Sequence, residues 1–156
     1  MTGDVKRILL VEDSQKDIDL TLAALEQNAL AEEVVVVRDG EQALDFLYRR
    51  GNFRLRAPGN PAVVLLDLKL PKVSGLEVLQ QVKADESLKI IPIVMLTSSR
   101  EEIDLERSYE RGVNAYVVKP VTFARFVDAL RELGVFWAEV NEPPPGSVSR
   151  KIGSRS

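Results

Sequence analysis

The sequence has no cysteine and no histidine among its 156 residues. Without cysteine the chain can form no disulfide and has no thiol nucleophile, as is usual for a cytoplasmic protein. Without histidine it lacks the usual general base, the commonest zinc ligand and any Ser-His or Cys-His catalytic pair. Any chemistry of this chain must therefore use carboxylates, hydroxyls, lysine and a hard metal ion.

Long apolar runs and a strong basic charge are also absent. No stretch is apolar enough to span a bilayer, and the N-terminus does not have the pattern of a signal peptide. The net charge is -3 and the isoelectric point is about 5.2, so the composition gives no reason to expect direct DNA binding or an anionic membrane as partner. We expect a cytoplasmic globular protein.

Short apolar segments alternate with segments of helical spacing along the chain. Strands are predicted at residues 6–11, 33–37, 63–66, 92–96 and 114–118. Apolar residues spaced by three or four between them predict helices, the last carrying Phe123, Phe126, Leu130, Leu133 and Trp137. Five such repeats predict an α/β fold with a doubly wound parallel sheet. We assign residues 1–140 to one domain and expect the polar residues 141–156 to form a disordered tail.

The predicted strand at residues 63–66 is the centre of this pattern. Four apolar residues in a row indicate a strand buried on both faces, and Asp67 follows directly, with Pro71 soon after. A carboxylate at the end of a buried strand destabilises the fold, so its presence there suggests a function. Ligands of open α/β sheets bind at the carboxyl ends of the strands. Asp67 is therefore our candidate nucleophile.

Other polar side chains follow the other predicted strands in the same way. Glu12 and Asp13 follow the first strand, Thr97 the fourth and Lys119 the fifth. In a parallel sheet those ends lie along one edge. The sequence therefore predicts a pocket that contains carboxylates, a hydroxyl and an ammonium group.

Clustered carboxylates repel one another, and a bound divalent cation relieves that repulsion. Oxygen ligands select a hard metal, and we expect Mg2+. The Asp67 carboxylate could then attack a phosphoryl group and form an aspartyl phosphate. Lys119 would balance the charge of the transferred oxygens, and the Thr97 hydroxyl would donate a hydrogen bond to them.

These motifs resemble those of the bacterial two-component response regulator receiver domain. The matching stretches are residues 8–13, 66–71 with Gly75, 96–98 and 115–120. The resemblance covers residues 6–138 and implies a flavodoxin-like (βα)5 fold with strand order 2-1-3-4-5. It also implies a signalling domain that accepts a phosphoryl group and whose only chemistry is its own phosphorylation and dephosphorylation.

The resemblance assigns metal ligands by position. Asp67 is then the phosphoacceptor, Asp13 a direct ligand, and Glu12 a ligand either directly or through water. The backbone carbonyl of Lys69 is the remaining protein ligand. Many relatives carry another polar residue at that position, and the Lys69 ammonium could pair with the phosphoryl group or with Glu12.

The resemblance also assigns the signalling residues. Thr97 and Lys119 are the phosphoryl sensors, and Thr97 couples to Tyr116, an aromatic residue that swings inward on phosphorylation. The alternative for Tyr116 is simple packing on an edge strand.

The chain is most similar to the small single-domain regulators paired with bacterial and cyanobacterial phytochrome kinases. The similarity lies in residues 49–61, residues 83–92 and the pair Phe136-Trp137. It implies a light-regulated sensor histidine kinase as phosphodonor. Residues 49–61 carry four arginines and form either a solvated loop or an arm that docks a partner.

Phe136 and Trp137 also suggest a homodimer. Two consecutive aromatic residues at a helix end cannot both face inward, so one must be exposed or find a partner. The alternative is that Trp137 packs on the domain and Phe136 lies under the tail. The resemblance implies that the usual dimer face of the family, formed by the fourth helix, fifth strand and fifth helix, lies beside this end. We therefore expect a two-fold pair with Phe136 and Trp137 near the contact.

Three other functions fit parts of the sequence. A flavodoxin-like cofactor binder shares the fold, although Glu12 and Asp13 would repel a flavin phosphate. An aspartyl phosphatase would need a second acid near Asp67, where Lys69 stands instead. A receiver adaptor that is never phosphorylated would not need the acidic pocket. Because we expect no output domain and the chain has no histidine, its signal must pass through protein contacts or transfer from Asp67 itself.

Overall fold

The computed structural model describes residues 8–27, 34–98, 101–119 and 123–130. Within them lie β1 (Ile8–Val11), α1 (Gln15–Glu26), β2 (Val34–Val37), α2 (Gly40–Tyr48), β3 (Val63–Leu66), α3 (Gly75–Ala84), β4 (Ile93–Thr97), α4 (Glu102–Glu110), β5 (Ala115–Val118) and α5 (Phe123–Leu130). A short 3-10 helix, Gly51–Phe53, lies between α2 and β3.

The strands form one parallel sheet in the order β2-β1-β3-β4-β5, which confirms the predicted flavodoxin-like topology. Val11 is in register with Leu66, so the residues that follow β1 and β3 emerge side by side. Thr97 is in register with Val118, so Lys119 follows directly beside the end of β4. The register thus brings the predicted polar residues to one edge.

The central strands are buried on both faces, as the continuous apolar runs predict. All residues of β1, β3 and β4 are buried, whereas those of the edge strand β5 are half-buried. One apolar cluster joins one face of the sheet to α2 and α3, and the other joins the opposite face to α1 and α5. Burying a Val or Leu side chain stabilises the fold by about 1.5–3 kcal/mol, so these strands fix the sheet.

Side-chain caps set the starts of the first three helices. Ser14 accepts a hydrogen bond from the Asp17 amide at 3.3 Å and so caps α1. Asp39 caps α2 by accepting from the Gln42 amide at 2.7 Å. Both side chains satisfy an amide that has no partner within its helix. Gly112 follows α4 with a φ of 96°, as expected of a glycine that ends a helix.

The element bounds differ little from the predicted ones. Thr97 is the last residue of β4 and does not merely follow it, because the strand pairs as far as Val118 of β5. The predicted dimer residues Phe136 and Trp137, the domain boundary at 140 and the tail at 141–156 lie outside the described residues. Among the described helices, none has both the length and the apolar character needed to cross a bilayer.

The loop after β3 folds back tightly on its own backbone. The Gly75 amide donates to the Leu68 carbonyl at 2.8 Å, and Gly75 itself is buried. A Cβ at Gly75 would lie 2.2 Å from the backbone oxygen of Asp67 and 2.8 Å from the Leu68 Cα. Glycine is therefore required here by close backbone approach.

We expect Gly75→Ala to destabilise the protein by about 1–3 kcal/mol, because the added methyl must displace the backbone that carries Asp67. Chemical denaturation measures the change. Gln81→Ala, at an exposed position of the same helix, should change the free energy of unfolding by less than about 0.5 kcal/mol. Equal stability of Gly75→Ala and wild type would contradict the close approach.

Candidate functional site

An acidic pocket lies at the carboxyl ends of β1 and β3. One carboxylate oxygen from each of Glu12, Asp13 and Asp67 lies within 4.8 Å of the others. Main-chain hydrogen bonds hold these residues, because the Asp67 amide donates to the Val11 carbonyl at 3.1 Å and the Glu12 amide to Val37 at 3.0 Å. Glu12 is buried, Asp13 is exposed and Asp67 is partly buried. The sheet ladder therefore continues into the pocket and fixes the carboxylates.

A buried ammonium group faces these acids from the end of β5. Lys119 forms an ion pair with Glu12, lies 3.1 Å from an Asp17 oxygen and 3.7 Å from an Asp67 oxygen. Its side chain is only 3% exposed. Its amide donates to the Thr97 carbonyl at 2.7 Å, which ties it to β4. The predicted residues Glu12, Asp67 and Lys119 thus meet in one place.

The environment shifts the pKa values of the buried pair. Burial and, to a lesser extent, the charge of Asp67 raise the pKa of Glu12 to about 7, against the opposing hydrogen bond from Lys119. Burial alone would lower the pKa of Lys119, but the hydrogen bond that Lys119 donates to Glu12 and the charge of Asp67 outweigh burial and raise that pKa. Lys119 therefore stays charged. Its one positive charge does not balance the negative charge of the carboxylates in the pocket.

The residues present fit a divalent cation. Glu12, Asp13 and Asp67 offer only oxygen donors, which suit a hard metal such as Mg2+. A single buried ammonium faces Glu12, Asp17 and Asp67, so added positive charge would relieve their repulsion. The donor chemistry and the charge balance therefore agree with the predicted metal site.

The side chain of Lys69 does not pair with the carboxylates of the acidic pocket. Its ammonium lies 4.0 Å from an oxygen of Glu101, while Glu12 is paired with Lys119. The Lys69 side chain is 72% exposed. The predicted role of Lys69 as a ligand concerns its backbone carbonyl and stays a prediction.

Thr97 and Tyr116 lie on neighbouring strands. Thr97 is buried at the end of β4, and Tyr116 is paired in register with Met95, two residues earlier on that strand. Side chains two apart on a strand share a face, so Thr97 and Tyr116 lie on the same side of the sheet. Tyr116 is half-buried against the apolar cluster of that side. The placement suits the predicted coupling, whose occurrence stays a prediction.

Two polar residues that touch the site are missing from the predicted set. Asp17 lies in the first turn of α1, and its carboxylate is 3.1 Å from the Lys119 ammonium. Its position four residues after Asp13, on the first turn above the sheet edge, is a signal that could have identified it. Arg38 donates to the backbone carbonyl of Asp13 at 3.3 Å, and only the pairing of β2 with β1 brings them together.

Comparison with known proteins agrees with this geometry. The family model "Response regulator receiver domain" matches residues 8–131. The response regulator Rcp1 of Synechocystis sp. (strain ATCC 27184 / PCC 6803 / Kazusa) is 40% identical over 134 residues, covering 86% of this chain and 90% of Rcp1. A solved structure of the Mn(2+)-bound form of Rcp1 has a TM-score of 0.79, 38% identity, and coverage of 89% of this chain and 99% of that one.

Two further solved structures are regulators of phytochrome systems. The bacteriophytochrome response regulator RtBRR is 66% identical, with a TM-score of 0.74 and coverage of 92% of this chain and 86% of that one. The phosphorylated cyanobacterial phytochrome response regulator RcpA is 37% identical, with a TM-score of 0.80 and coverage of 91% and 99%. The family match, the sheet order and these similarities agree, and the chain belongs to the response regulator receiver domain family, with close similarity to phytochrome response regulators.

Proposed function

We propose that this response regulator accepts a phosphoryl group on Asp67 from a sensor histidine kinase, in a Mg2+-dependent reaction, and signals through protein contacts. One observation carries the proposal. The Asp67 carboxylate lies 3.7 Å from a buried ammonium group and shares its pocket with Glu12 and Asp13. That is the set of charges that a phosphoryl acceptor requires.

The reaction is a transfer from a phosphohistidine of the kinase. An Asp67 oxygen attacks phosphorus and a P–O bond forms as the P–N bond breaks. The imidazole, protonated on its other ring nitrogen, takes the bonding electron pair and leaves as the neutral ring. Lys119 lies close enough to Asp67 to balance charge on the transferred oxygens, and Thr97, at the end of the neighbouring strand, supplies a hydroxyl donor. The products are the aspartyl phosphate and a free histidine.

Glu12, Asp13, Asp67 and the backbone carbonyl of Lys69 would hold the metal ion. Bound there, Mg2+ would neutralise carboxylate charge and allow the anionic phosphoryl group to approach Asp67. Two observations support a divalent cation, the oxygen-only cluster of this chain and the Mn(2+)-bound structure of the relative Rcp1.

The proposed phosphodonor is a phytochrome-type histidine kinase. Its support is the 66% identity to the bacteriophytochrome response regulator RtBRR and the similarity to phosphorylated RcpA. The chain's own chemistry would be limited to gaining and losing one phosphoryl group. The acidic pocket disfavours a flavodoxin-like cofactor binder, since Glu12 and Asp13 repel a flavin phosphate. A phosphorylation-independent adaptor would not need an acidic pocket.

The signal would pass from Thr97 to Tyr116. On phosphorylation the Thr97 hydroxyl is drawn to the phosphoryl oxygens, and Tyr116, which shares its face of the sheet, moves into the space released. The change would alter the surface of α4, β5 and α5 and, through it, the contacts with partners.

The protein would act as a homodimer whose contact includes Phe136 and Trp137. These residues lie outside the described ones, and the support comes from the sequence, in which two large aromatic residues stand side by side at the end of the last predicted helix. Aromatic side chains of this kind are common interface anchors.

With Mg2+ and a phosphorylated histidine kinase or acetyl phosphate, the wild type should gain one acid-stable, base-labile phosphoryl group. Asp67→Asn should abolish it, because an amide is a poor nucleophile, and mass spectrometry of the intact protein measures the gain. Asp19→Asn, an exposed acid on α1, should label as wild type does. Labelling of Asp67→Asn at a serine or threonine to the same extent would show that the assignment is wrong.

Mg2+ should bind weakly, because few protein oxygens form the site. Asp13→Asn should weaken Mg2+ binding by about tenfold or more and Glu12→Gln by less, because Asp13 is exposed to solvent at the pocket whereas Glu12 is engaged by Lys119. Titration calorimetry measures both affinities. Asp19→Asn is the matched control, and unchanged metal affinity in Asp13→Asn would rule out this ligand set.

Thr97→Ala should still be phosphorylated but should no longer transmit the change to Tyr116, because the hydroxyl that is drawn to the phosphoryl group is gone. NMR of the labelled Tyr116 ring, before and after phosphorylation, measures the coupling. Thr21→Ala, buried in α1, serves as a control that removes a hydroxyl elsewhere. Identical ring shifts in Thr97→Ala and wild type would refute the coupling.

Sedimentation at micromolar concentration should show a dimer. The combined change Phe136→Ala and Trp137→Ala should convert it to a monomer, because the apolar anchors are lost. Leu55→Ala, an exposed leucine between α2 and β3, should leave the dimer intact. A wild type that remains monomeric with and without phosphorylation would end this proposal.

A further inference from the structure

We infer that the segment between α2 and β3 is a second interaction surface, which binds an acidic, leucine-bearing segment of a partner protein. This surface, here called the arginine surface, consists of Arg49, Arg50, Arg54 and Leu55. It is separate from the phosphorylation pocket and independent of the proposed phosphoryl chemistry.

The arginine surface carries a concentrated positive charge. Residues 46–66 contain four arginines and neither aspartate, glutamate nor lysine, whereas the whole chain has a net charge of -3. The charge is therefore strongly separated along the chain. Asp45, just before this stretch, pairs with Arg50 at 2.8 Å and offsets only part of it.

Arg56, the fourth arginine, holds the backbone of the segment together, and the other three arginines are exposed. The Arg56 guanidinium lies 4.2 Å from the centre of the Phe46 ring and donates to the Phe46, Ala57 and Gly59 carbonyls at 2.7–2.9 Å. Phe53 packs edge-on against Phe46, with ring centres 5.2 Å apart. Arg56 is thus a structural residue that ties the segment to Phe46 of α2. The segment is an exposed loop with an ordered base, and its docking of a partner stays a prediction.

The remaining residues point outward from this base. Arg49, Arg50 and Arg54 are exposed, and Leu55 beside them is 87% exposed, the most exposed large apolar side chain among the described residues. Arg50 lies over the Tyr48 ring at 5.0 Å, and Arg54 donates to the Gly51 carbonyl at 3.1 Å. These contacts limit the motion of the guanidinium groups and so reduce the cost of ordering them on binding.

The guanidinium groups and the exposed leucine of the arginine surface indicate which kind of partner it binds. Guanidinium groups bind carboxylates with paired hydrogen bonds, and arginine is enriched at protein interfaces. A solvent-exposed leucine among them offers an apolar contact that a nucleic-acid backbone would not use. The net negative charge of the rest of the chain opposes an extended anionic polymer or membrane more than a short acidic segment. An acidic segment with an apolar side chain therefore fits best.

The segment that carries the arginine surface leads into the amino end of β3 at Val63, whereas Asp67 follows the carboxyl end of that strand, after Leu66. The two ends of β3 lie roughly 13 Å apart. A partner bound at the arginine surface would leave the pocket open to the kinase. The surface can therefore hold a partner while Asp67 gains or loses its phosphoryl group.

The test uses two labelled peptides, one of glutamates around a single leucine and one with serine in place of that leucine. Fluorescence anisotropy at low and high salt measures their binding to the full-length protein. Wild type should bind the leucine peptide several-fold more tightly than the serine peptide, and salt should weaken both. The combined change Arg49→Gln, Arg50→Gln and Arg54→Gln should weaken binding about tenfold. Leu55→Ser should remove the preference for leucine.

The matched control removes the same charge elsewhere, through Lys89→Gln, Arg107→Gln and Arg111→Gln, and should change binding less than about twofold. All the variants should remain folded by circular dichroism and should be phosphorylated as wild type is. Equal weakening by the control, equal affinity for the two peptides or no binding by wild type would overturn the inference. Tighter, arginine-dependent binding of oligouridine or phosphatidylserine vesicles, or self-association lost in the arginine variant, would overturn it in favour of those partners.

Discussion

The structure depends on the placement of one buried ammonium group among several carboxylates. Lys119 touches Glu12 and Asp17 and lies near Asp67, and all of these side chains stand at the carboxyl edge of the sheet. An unpaired charge buried there would be strongly destabilising, so each group depends on the others. The same charges that hold the edge together would receive a metal ion and a phosphoryl group. Structural and chemical roles therefore coincide in this pocket.

The apolar strands provide the rigidity that such a pocket requires. β1 and β3 are fully buried, and their ladder continues through the Glu12 and Asp67 amides into the pocket. On the far side of Asp67, the buried Gly75 lets the backbone of the following loop come back against that residue. Asp67, the proposed acceptor, is thus fixed on both sides by main chain, while Asp13 remains exposed at the mouth of the pocket.

Much of the fold and part of the site follow from local sequence patterns. Buried parallel strands correspond to continuous apolar runs in the sequence. The polar residues that follow these runs, such as Asp67 and Lys119, locate the pocket. Contacts that depend on the packing of separate elements have no such local pattern in the sequence. The approach of Asp17 to Lys119 depends on how α1 lies over the sheet edge, and the stacking of Arg56 on Phe46 depends on a turn without a simple pattern. Composition alone could not distinguish Arg56 from its exposed neighbours.

Phosphoryl acceptance by Asp67 can be tested with a crystal structure of the protein with Mg2+ and beryllium fluoride, a mimic of the phosphoryl group. We expect the fluoride adduct on an Asp67 oxygen, the metal ion held by Asp13 beside the adduct, and the Lys119 ammonium moved from Glu12 to about 2.7–2.9 Å from the adduct. An adduct bound elsewhere, or a Lys119 that remains on Glu12 beside an unmodified Asp67, would contradict it.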